Sequence, residues 1–207
     1  MKKIGITGGL GTGKTRVLEI IQKLGSPVIS SDQIVHSEMK KGQNLYNLVV
    51  ENFGEKILAE SGEIDRSRLA NIVFNNKEEK EKLEGLIHPR VKQVIIDFFS
   101  AQAKLKKPPS AVFAEVPLLF EVGWEDLFDQ VWVVWAPQDV VYNRLLQGGR
   151  FSPEDIKARL KAQMPLGEKI KKADQVIENR GTVRELERKV RERWKKLNAE
   201  NSSNRSR

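Results

Sequence analysis

The sequence predicts an α/β fold in which a parallel β-sheet is flanked by helices. Three observations predict it. First, short apolar runs with the composition of strands recur along the chain. Second, the first run is followed by a segment whose apolar residues recur at helical spacing. Third, the later runs are apolar at successive positions. Runs of that last kind are typical of strands covered on both faces of a sheet. A strand, a helix and a second strand in that order open a parallel sheet.

The first predicted unit occupies the N-terminal 32 residues. Ile4–Thr7 is an apolar run that fits a short strand, and a helix is predicted to begin near Gly13 and to stop near Gly25. Pro27–Ile29 is the second predicted strand, and a polar stretch ending at Asp32 follows it. This order of strand, loop, helix and strand is the start of a parallel α/β sheet.

The middle of the chain is predicted to be helical, with apolar residues at helical spacing from Leu83 to Phe99. Pro89 interrupts that run and is predicted to mark a kink or a helix start. The remaining predicted elements are the strands Ala111–Val116, Gln130–Trp135 and Gln175–Ile177, the helices Asp139–Gln147, Pro153–Gln163 and Val183–Leu197, and a disordered tail over 199–207.

Composition and charge restrict the class of protein. The chain has no cysteine, which excludes disulfides and thiolate metal sites. No apolar run approaches the ~18 residues that cross a bilayer, and no signal-peptide pattern is present, so we expect a cytoplasmic protein without a membrane partner. The net charge of +8 is spread along the chain without interleaved aromatic residues. We interpret it as solvated surface plus a phosphate-binding cleft, not as a nucleic-acid interface.

Gly8–Thr15 matches the phosphate-loop pattern of glycine, any four residues, then Gly-Lys-Ser/Thr. Gly8, Gly11 and Gly13 allow backbone amides to approach a phosphate closely, and Thr12 lies among those amides. Lys14 is predicted to reach the β- and γ-phosphates of ATP, and the Thr15 hydroxyl to ligate Mg²⁺. A strand precedes the loop and a helix follows it, as the motif requires. The fold class is therefore a P-loop NTPase type of sheet.

Two acidic residues narrow the chemistry. Asp32 follows the second strand, at the carboxyl-end edge where such sheets bind ligands, and its carboxylate could accept the proton of an acceptor hydroxyl. The alternative is an ordinary helix N-cap, and the residues alone leave the two readings equally open. Glu115 ends a predicted strand and could hold Mg²⁺ through water. The alternative interpretation is that Glu115 is a solvated acidic residue at the end of the strand.

Positive residues in the region 139–173 suggest a mobile flap. Arg144, Arg150 and Arg159 flank a glycine pair, and arginines that close over a phosphoryl group would stabilise its charge. Surface charge on amphipathic helices is the alternative for any single one of them. His88 precedes Pro89, and a lone histidine is more often structural than functional.

The chain resembles the dephospho-coenzyme A kinase family from about Lys3 to Val190. The strings that carry the resemblance are Ile4–Gly9 with Gly11–Thr15, Ser30–Asp32 with His36, Phe53-Gly54, Gly62–Arg66 with Leu69, Val73-Phe74, Leu83-Glu84, Ile87–Pro89 with Val91, Val116–Glu121, Arg159, Ala162–Leu166, Lys169, Ala173-Asp174 and Ile177–Asn179.

This resemblance implies phosphorylation of the ribose 3′-hydroxyl of dephospho-CoA by ATP, which gives CoA and ADP in the last step of coenzyme A synthesis. It implies a core of about 1–31, 108–138 and 174–198, a substrate-binding part of about 32–107 and a helical lid of about 139–173. The implied site residues are Lys14, Asp32 and Arg144 in catalysis, Gly8, Gly11–Arg16 and Asn179 toward ATP, Asp32, Arg66, His88, Leu118 and Arg159 toward dephospho-CoA, and Thr15 and Glu115 toward Mg²⁺.

The chain departs from the family pattern in two places. Ser30 stands where the family has the first acid of its Asp-Ala-Asp motif. Gly148 stands four residues after Arg144, where the family has an arginine, and Arg150 is the candidate to replace it.

Three other classes of protein also carry such a loop. A nucleoside monophosphate kinase would have the same fold, and a nucleic-acid-binding ATPase would fit the basic pI of about 9.6. A GTPase would carry an Asn-Lys-x-Asp string, but Asn76-Lys77 is followed by two glutamates. We expect a monomer or a weak homo-oligomer.

Overall fold

The computed structural model describes residues 1–74, 76–149, 152–161 and 163–203, with the side chains up to residue 199. Its sheet has five strands in the order β2-β3-β1-β4-β5. In chain order these are β1 (Lys2–Gly8), β2 (Val28–Ser30), β3 (Ala111–Glu115), β4 (Gln130–Trp135) and β5 (Gln175–Glu178). The β1–β3, β1–β4 and β4–β5 pairs are parallel, which confirms the predicted fold class.

The helices lie where the spacing of apolar residues changes from that of a strand to that of a helix. They are α1 (Lys14–Lys23), α2 (Ser31–Glu38), α3 (Asn44–Phe53), α4 (Arg66–Phe74), α5 (Lys77–Ala103), α6 (Gln138–Gln147), α7 (Pro153–Lys161), α8 (Leu166–Lys171) and α9 (Val183–Ser203), with 3₁₀ turns at Glu55–Ile57 and Glu125–Leu127. In the described ranges, no helix is both long enough and apolar enough to cross a membrane.

The sheet is buried on both faces, as its apolar runs predict. Ile4 and Ile6 in the central strand β1 are fully buried, and every residue of β3 is buried. Phe113 and Trp132 pack edge to face, with their ring centroids 5.5 Å apart. Residues of α1 and α9 join the same core cluster, so burial of apolar surface fixes the start of α1 against the end of β1.

The chain divides into two compact units. One comprises Met1–Ile29 and Phe99–Arg207 and contains β1, β3, β4 and β5. The other, Ser30–Phe98, is helical and has a core of its own. That core consists of Leu45, Val49, Phe53, Ile57 and Leu69. The boundaries proposed from the sequence for substrate-binding part and lid stay predictions.

Two local predictions differ from the structure. Of the two alternatives predicted for Pro89, a helix start is wrong, because α5 continues through it from Lys77 to Ala103, and a kink stays a prediction. Apolar residues continue on both sides of the proline, and their packing retains the helix although proline cannot donate a backbone hydrogen bond. The tail predicted to be disordered from residue 199 is helical as far as Ser203. No glycine or proline interrupts that stretch, so the helix propagates beyond its last buried apolar residue, Leu197.

Candidate active site

The phosphate loop connects the end of β1 to the start of α1, as the motif predicts. Gly8, Gly11 and Gly13 have φ angles of 147°, 72° and 94°, a region that side-chain-bearing residues rarely adopt. A Cβ added at Gly13 would lie 2.3 Å from Nδ2 of Asn179. Glycine is therefore required at this position by backbone conformation and by the close approach of a buried side chain.

Lys14 is the first residue of α1, and its side chain folds back over the loop. The Lys14 ammonium donates to the Gly9 carbonyl at 3.0 Å, and only 8% of the residue is exposed. The Thr12 hydroxyl donates to the same carbonyl at 2.9 Å. A positive charge thus lies inside the loop, beside the helix N-terminus whose free N–H groups favour an anion.

Thr15 and Glu115 bring two oxygen donors together at the end of the sheet. The Thr15 hydroxyl donates to Glu115 Oε1 at 3.2 Å. Glu115 is only 3% exposed, so the alternative of a solvated strand-end acid is wrong. A hydroxyl and a carboxylate are the hard oxygen ligands that suit Mg²⁺.

No group of three or more His, Cys, Asp or Glu side chains that could hold a metal exists in the described part of the chain. The Thr15–Glu115 pair is therefore a partial ligand set. It fits a Mg²⁺ ion that takes its other ligands from phosphates and water, which is how this ion commonly binds in phosphoryl-transfer sites.

Asn179 connects the loop to helix α6. It follows β5, is 7% exposed, and donates from Nδ2 to the Thr12 carbonyl at 2.8 Å. Arg144 of α6 donates from Nη1 to the Asn179 carbonyl at 2.9 Å and from Nη2 to Asn179 Oδ1 at 3.5 Å. Both ends of the amide are thus engaged within the protein. The structure places Arg144 and Asn179 together behind the loop, and their predicted roles toward the γ-phosphate and the adenine stay predictions.

We expect Asn179→Ala to weaken ATP binding about tenfold. The substitution leaves the Thr12 carbonyl without its donor, and an unsatisfied buried acceptor costs about 1–3 kcal/mol. In Asn179→Ala, part of the free energy of ATP binding would be offset by the cost of ordering the loop. Equilibrium titration with a fluorescent ATP analogue measures the effect, with Asn47→Ala at an exposed position of α3 as the control. Equal affinities of the two variants would contradict a supporting role of Asn179.

A second set of contacts holds the segment 163–169 against the loop and the Val116–Glu121 string. Gln163 Oε1 accepts from the backbone N–H of Leu10 at 3.0 Å, and Glu121 Oε1 accepts from the N–H of Met164 at 3.0 Å. Lys169 is fully buried and donates to the Pro117 carbonyl at 2.9 Å and to Glu121 at 2.8 Å. The Val116–Glu121 string is therefore the part of the chain that the end of the predicted lid packs against.

A cavity of about 350 Å³ lies between the loop and this segment. Its walls include Gly9, Leu10, Trp135, Val141, Leu160 and Gln163. Sequence reasoning assigned no role to Gln163 or Lys169. The only signal they gave was their place in the strings that resemble the family.

In the helical unit, Asp32 lies in the first turn of α2, not at its N-cap. The helix begins at Ser31, which leaves Ser30 at the cap position, and Asp32 is exposed. The N-cap alternative for Asp32 is therefore wrong. Acidic residues are common in the first turn of a helix, because the helix dipole favours negative charge there.

Arg66, His36 and His88 complete the candidate residues of the helical unit. Arg66 Nη2 hydrogen-bonds to His36 Nδ1. His88 is half-buried inside α5, so the His-Pro pair does not form a turn. Arg90, two residues on, pairs with Glu38 of α2 at 2.7 Å, and this hydrogen-bonded ion pair raises the pKa of Arg90. The pair ties the helix that carries Asp32 to the helix that carries His88.

The remaining candidates are placed as follows. Leu118 is half-buried next to Pro117, Arg159 is exposed on α7, and Arg16 on α1 forms an ion pair with Glu19 at 2.8 Å. Arg150 lies outside the described residues.

Comparisons with known proteins agree with one another. A sequence model of the dephospho-CoA kinase family matches residues 2–185. A dephospho-CoA kinase of Geobacillus kaustophilus is 40% identical over 187 residues, which cover 90% of this chain and 92% of that protein. TT1252 from Thermus thermophilus is 34% identical with a TM-score of 0.80, covering 95% of this chain and 97% of that one. Dephospho-CoA kinase from Campylobacter jejuni is 32% identical with a TM-score of 0.71, covering 96% and 98%.

Proposed function

Since this chain belongs to the dephospho-CoA kinase family, we propose that it transfers the γ-phosphoryl group of ATP to the ribose 3′-hydroxyl of dephospho-CoA. The products are CoA and ADP, and the reaction is the last step of coenzyme A synthesis. We extend the proposal to a cytoplasmic enzyme, monomeric or weakly oligomeric, that binds no nucleic acid.

The observation that carries the proposal is the pairing of the Thr15 hydroxyl with the buried Glu115 carboxylate, 3.2 Å apart, beside Lys14. Together they offer one fixed positive charge and two oxygen ligands at the N-terminus of α1. Phosphoryl transfer needs this combination, because the transition state spreads negative charge over the phosphate oxygens and little covalent chemistry is left to the protein.

In the proposed mechanism, Lys14 neutralises charge on the β- and γ-phosphates, and loop amides bind the phosphate oxygens. Thr15 and, through water, Glu115 would hold Mg²⁺, which supplies additional positive charge to the phosphates when bound. Arg144 is proposed as the lid arginine, with Arg16 and Asn179 on the nucleotide side.

Asp32 is proposed as the general base. As the ribose 3′-oxygen forms its bond to the γ-phosphorus, the Asp32 carboxylate accepts the hydroxyl proton, and the bond to the bridging oxygen of ADP breaks. Its exposure in the first turn of α2 supports this role, since an acceptor hydroxyl can reach it. Arg66, His88, Leu118 and Arg159 are proposed to bind dephospho-CoA.

A competition assay tests the proposal. The purified protein is incubated with ATP, Mg²⁺ and a mixture of dephospho-CoA, AMP, CMP and UMP. The products are separated by chromatography and identified by mass spectrometry. We expect dephospho-CoA to be converted to a product heavier by one phosphate that co-elutes with CoA. Preferential phosphorylation of a nucleoside monophosphate would overturn the assignment.

A further inference from the structure

A basic cavity of about 260 Å³ lies within the helical unit Ser30–Phe98, and of its lining residues only Arg66 has a proposed role so far. It is formed by the second half of α2 with the residues just after it, and by the segment that leads into α4. Its lining residues are His36, Met39, Lys40, Glu63, Ile64 and Arg66. Three of these six side chains carry nitrogen donors, and only one is a carboxylate.

The hydrogen bond between Arg66 and His36 fixes the orientation of the donors. A guanidinium group only donates, so His36 Nδ1 accepts from Arg66 Nη2, and Nε2 is the ring nitrogen left to donate. His36, Arg66 and Lys40 therefore all present N–H groups. The single carboxylate, Glu63, accepts a hydrogen bond from the backbone N–H of Lys41 at 3.2 Å. The lining as a whole is positive and suits an anion with several acceptor oxygens.

The cavity is placed one helical turn from the proposed base. His36 follows Asp32 by four residues in α2, so the two side chains share one face of the helix, about 6 Å apart along its axis. In dephospho-CoA the diphosphate is attached at C5′ of the same ribose whose 3′-hydroxyl is the acceptor. The width of one sugar ring separates the two groups, which is the spacing that α2 provides.

We propose that the cavity formed by His36, Lys40 and Arg66 binds the diphosphate group of dephospho-CoA. This inference rests on the proposed function and adds to it the subsite that orients the acceptor. Arg66 binds the phosphate oxygens through its planar guanidinium group, and His36 and Lys40 add further N–H donors. With the diphosphate held there, the ribose lies along α2 and its 3′-hydroxyl meets Asp32.

Kinetics with two acceptors test the subsite. We compare Arg66→Gln and Lys40→Gln with Lys56→Gln, which removes the same charge from an exposed position of the same unit outside the cavity. KM is measured for dephospho-CoA, for adenosine, which has the 3′-hydroxyl but no diphosphate, and for ATP. We expect the two cavity variants to raise KM for dephospho-CoA about tenfold or more, because each loses a charge-assisted hydrogen bond. KM for adenosine and for ATP stays at the wild-type value, and Lys56→Gln changes none of the three.

A binding measurement independent of turnover accompanies the kinetics. The chain has two histidines, so the imidazole proton resonances of His36 can be assigned by comparison with His36→Gln. We expect dephospho-CoA to shift the His36 resonances and adenosine to leave them in place, and Arg66→Gln to abolish the shift. Wild-type KM values in both cavity variants, or unmoved His36 resonances, would overturn the subsite while CoA formation by the wild type still stands. Failure of the wild type to form CoA would instead overturn the proposed function.

Discussion

We expect Asp32→Asn to lower kcat by about 10²–10⁴-fold while ATP binding stays at the wild-type level. Asparagine has the same shape as aspartate but cannot accept the proton of the acceptor hydroxyl. Asp32 is exposed in the first turn of α2 and is not the N-cap, so the substitution removes the base without removing a helix cap. Single-turnover rates of CoA formation and a nucleotide titration measure the two quantities separately.

The matched control is Asp97→Asn, which neutralises another exposed carboxylate of the helical unit. That side chain accepts a hydrogen bond from Gln93 on its own helix and has no proposed role. Its turnover stays at the wild-type value. If Asp32→Asn turned over like Asp97→Asn, the general base would have to be sought elsewhere.

The second large effect concerns the loop lysine. We expect Lys14→Ala to lower kcat/KM for ATP by about 10²–10³-fold, which is the usual cost of removing one fixed donor from a transition-state site. The Lys14 ammonium is held inside the loop by the Gly9 carbonyl, so its charge is positioned before the nucleotide arrives. Steady-state kinetics with varied ATP give kcat and KM, and thermal unfolding shows whether the fold is kept.

Lys23→Ala is the control for this variant, since Lys23 is exposed in the last turn of the same helix. It removes the same charge at the far end of α1 and keeps wild-type kinetics. If Lys14→Ala had the wild-type rate, the assignment of Gly8–Thr15 as the phosphate-binding loop would be contradicted.

Local patterns predicted most of the fold, because strand composition, helical spacing and glycine positions act over a few residues. The runs at Ile4–Thr7 and Gln130–Trp135 became strands because their residues are buried on both faces. A helix start at Pro89 is a wrong prediction for the same reason: the local effect of proline is visible in the sequence, but the packing that keeps α5 continuous is not.

The candidate site was predictable where a motif encodes it, and not where distant residues meet. The loop follows from its spacing alone. The contact of Asn179 with Thr12 joins residues 167 positions apart, and that of Lys169 with Pro117 joins residues 52 apart. No local pattern signals such contacts, because they depend on the order of strands in the sheet. The burial of Glu115 likewise follows from the position of β3 inside the sheet, not from its neighbours in sequence.

The contacts of Lys169 with Pro117 and Glu121 have a mechanical consequence. Lys169 is fully buried, and its ammonium donates to the Pro117 carbonyl at 2.9 Å and to the Glu121 carboxylate at 2.8 Å. Moving α8 away from the sheet would break both contacts at once. If the predicted lid moves, we therefore expect the moving part to lie before Leu166, while α8 keeps its place beside Val116–Glu121.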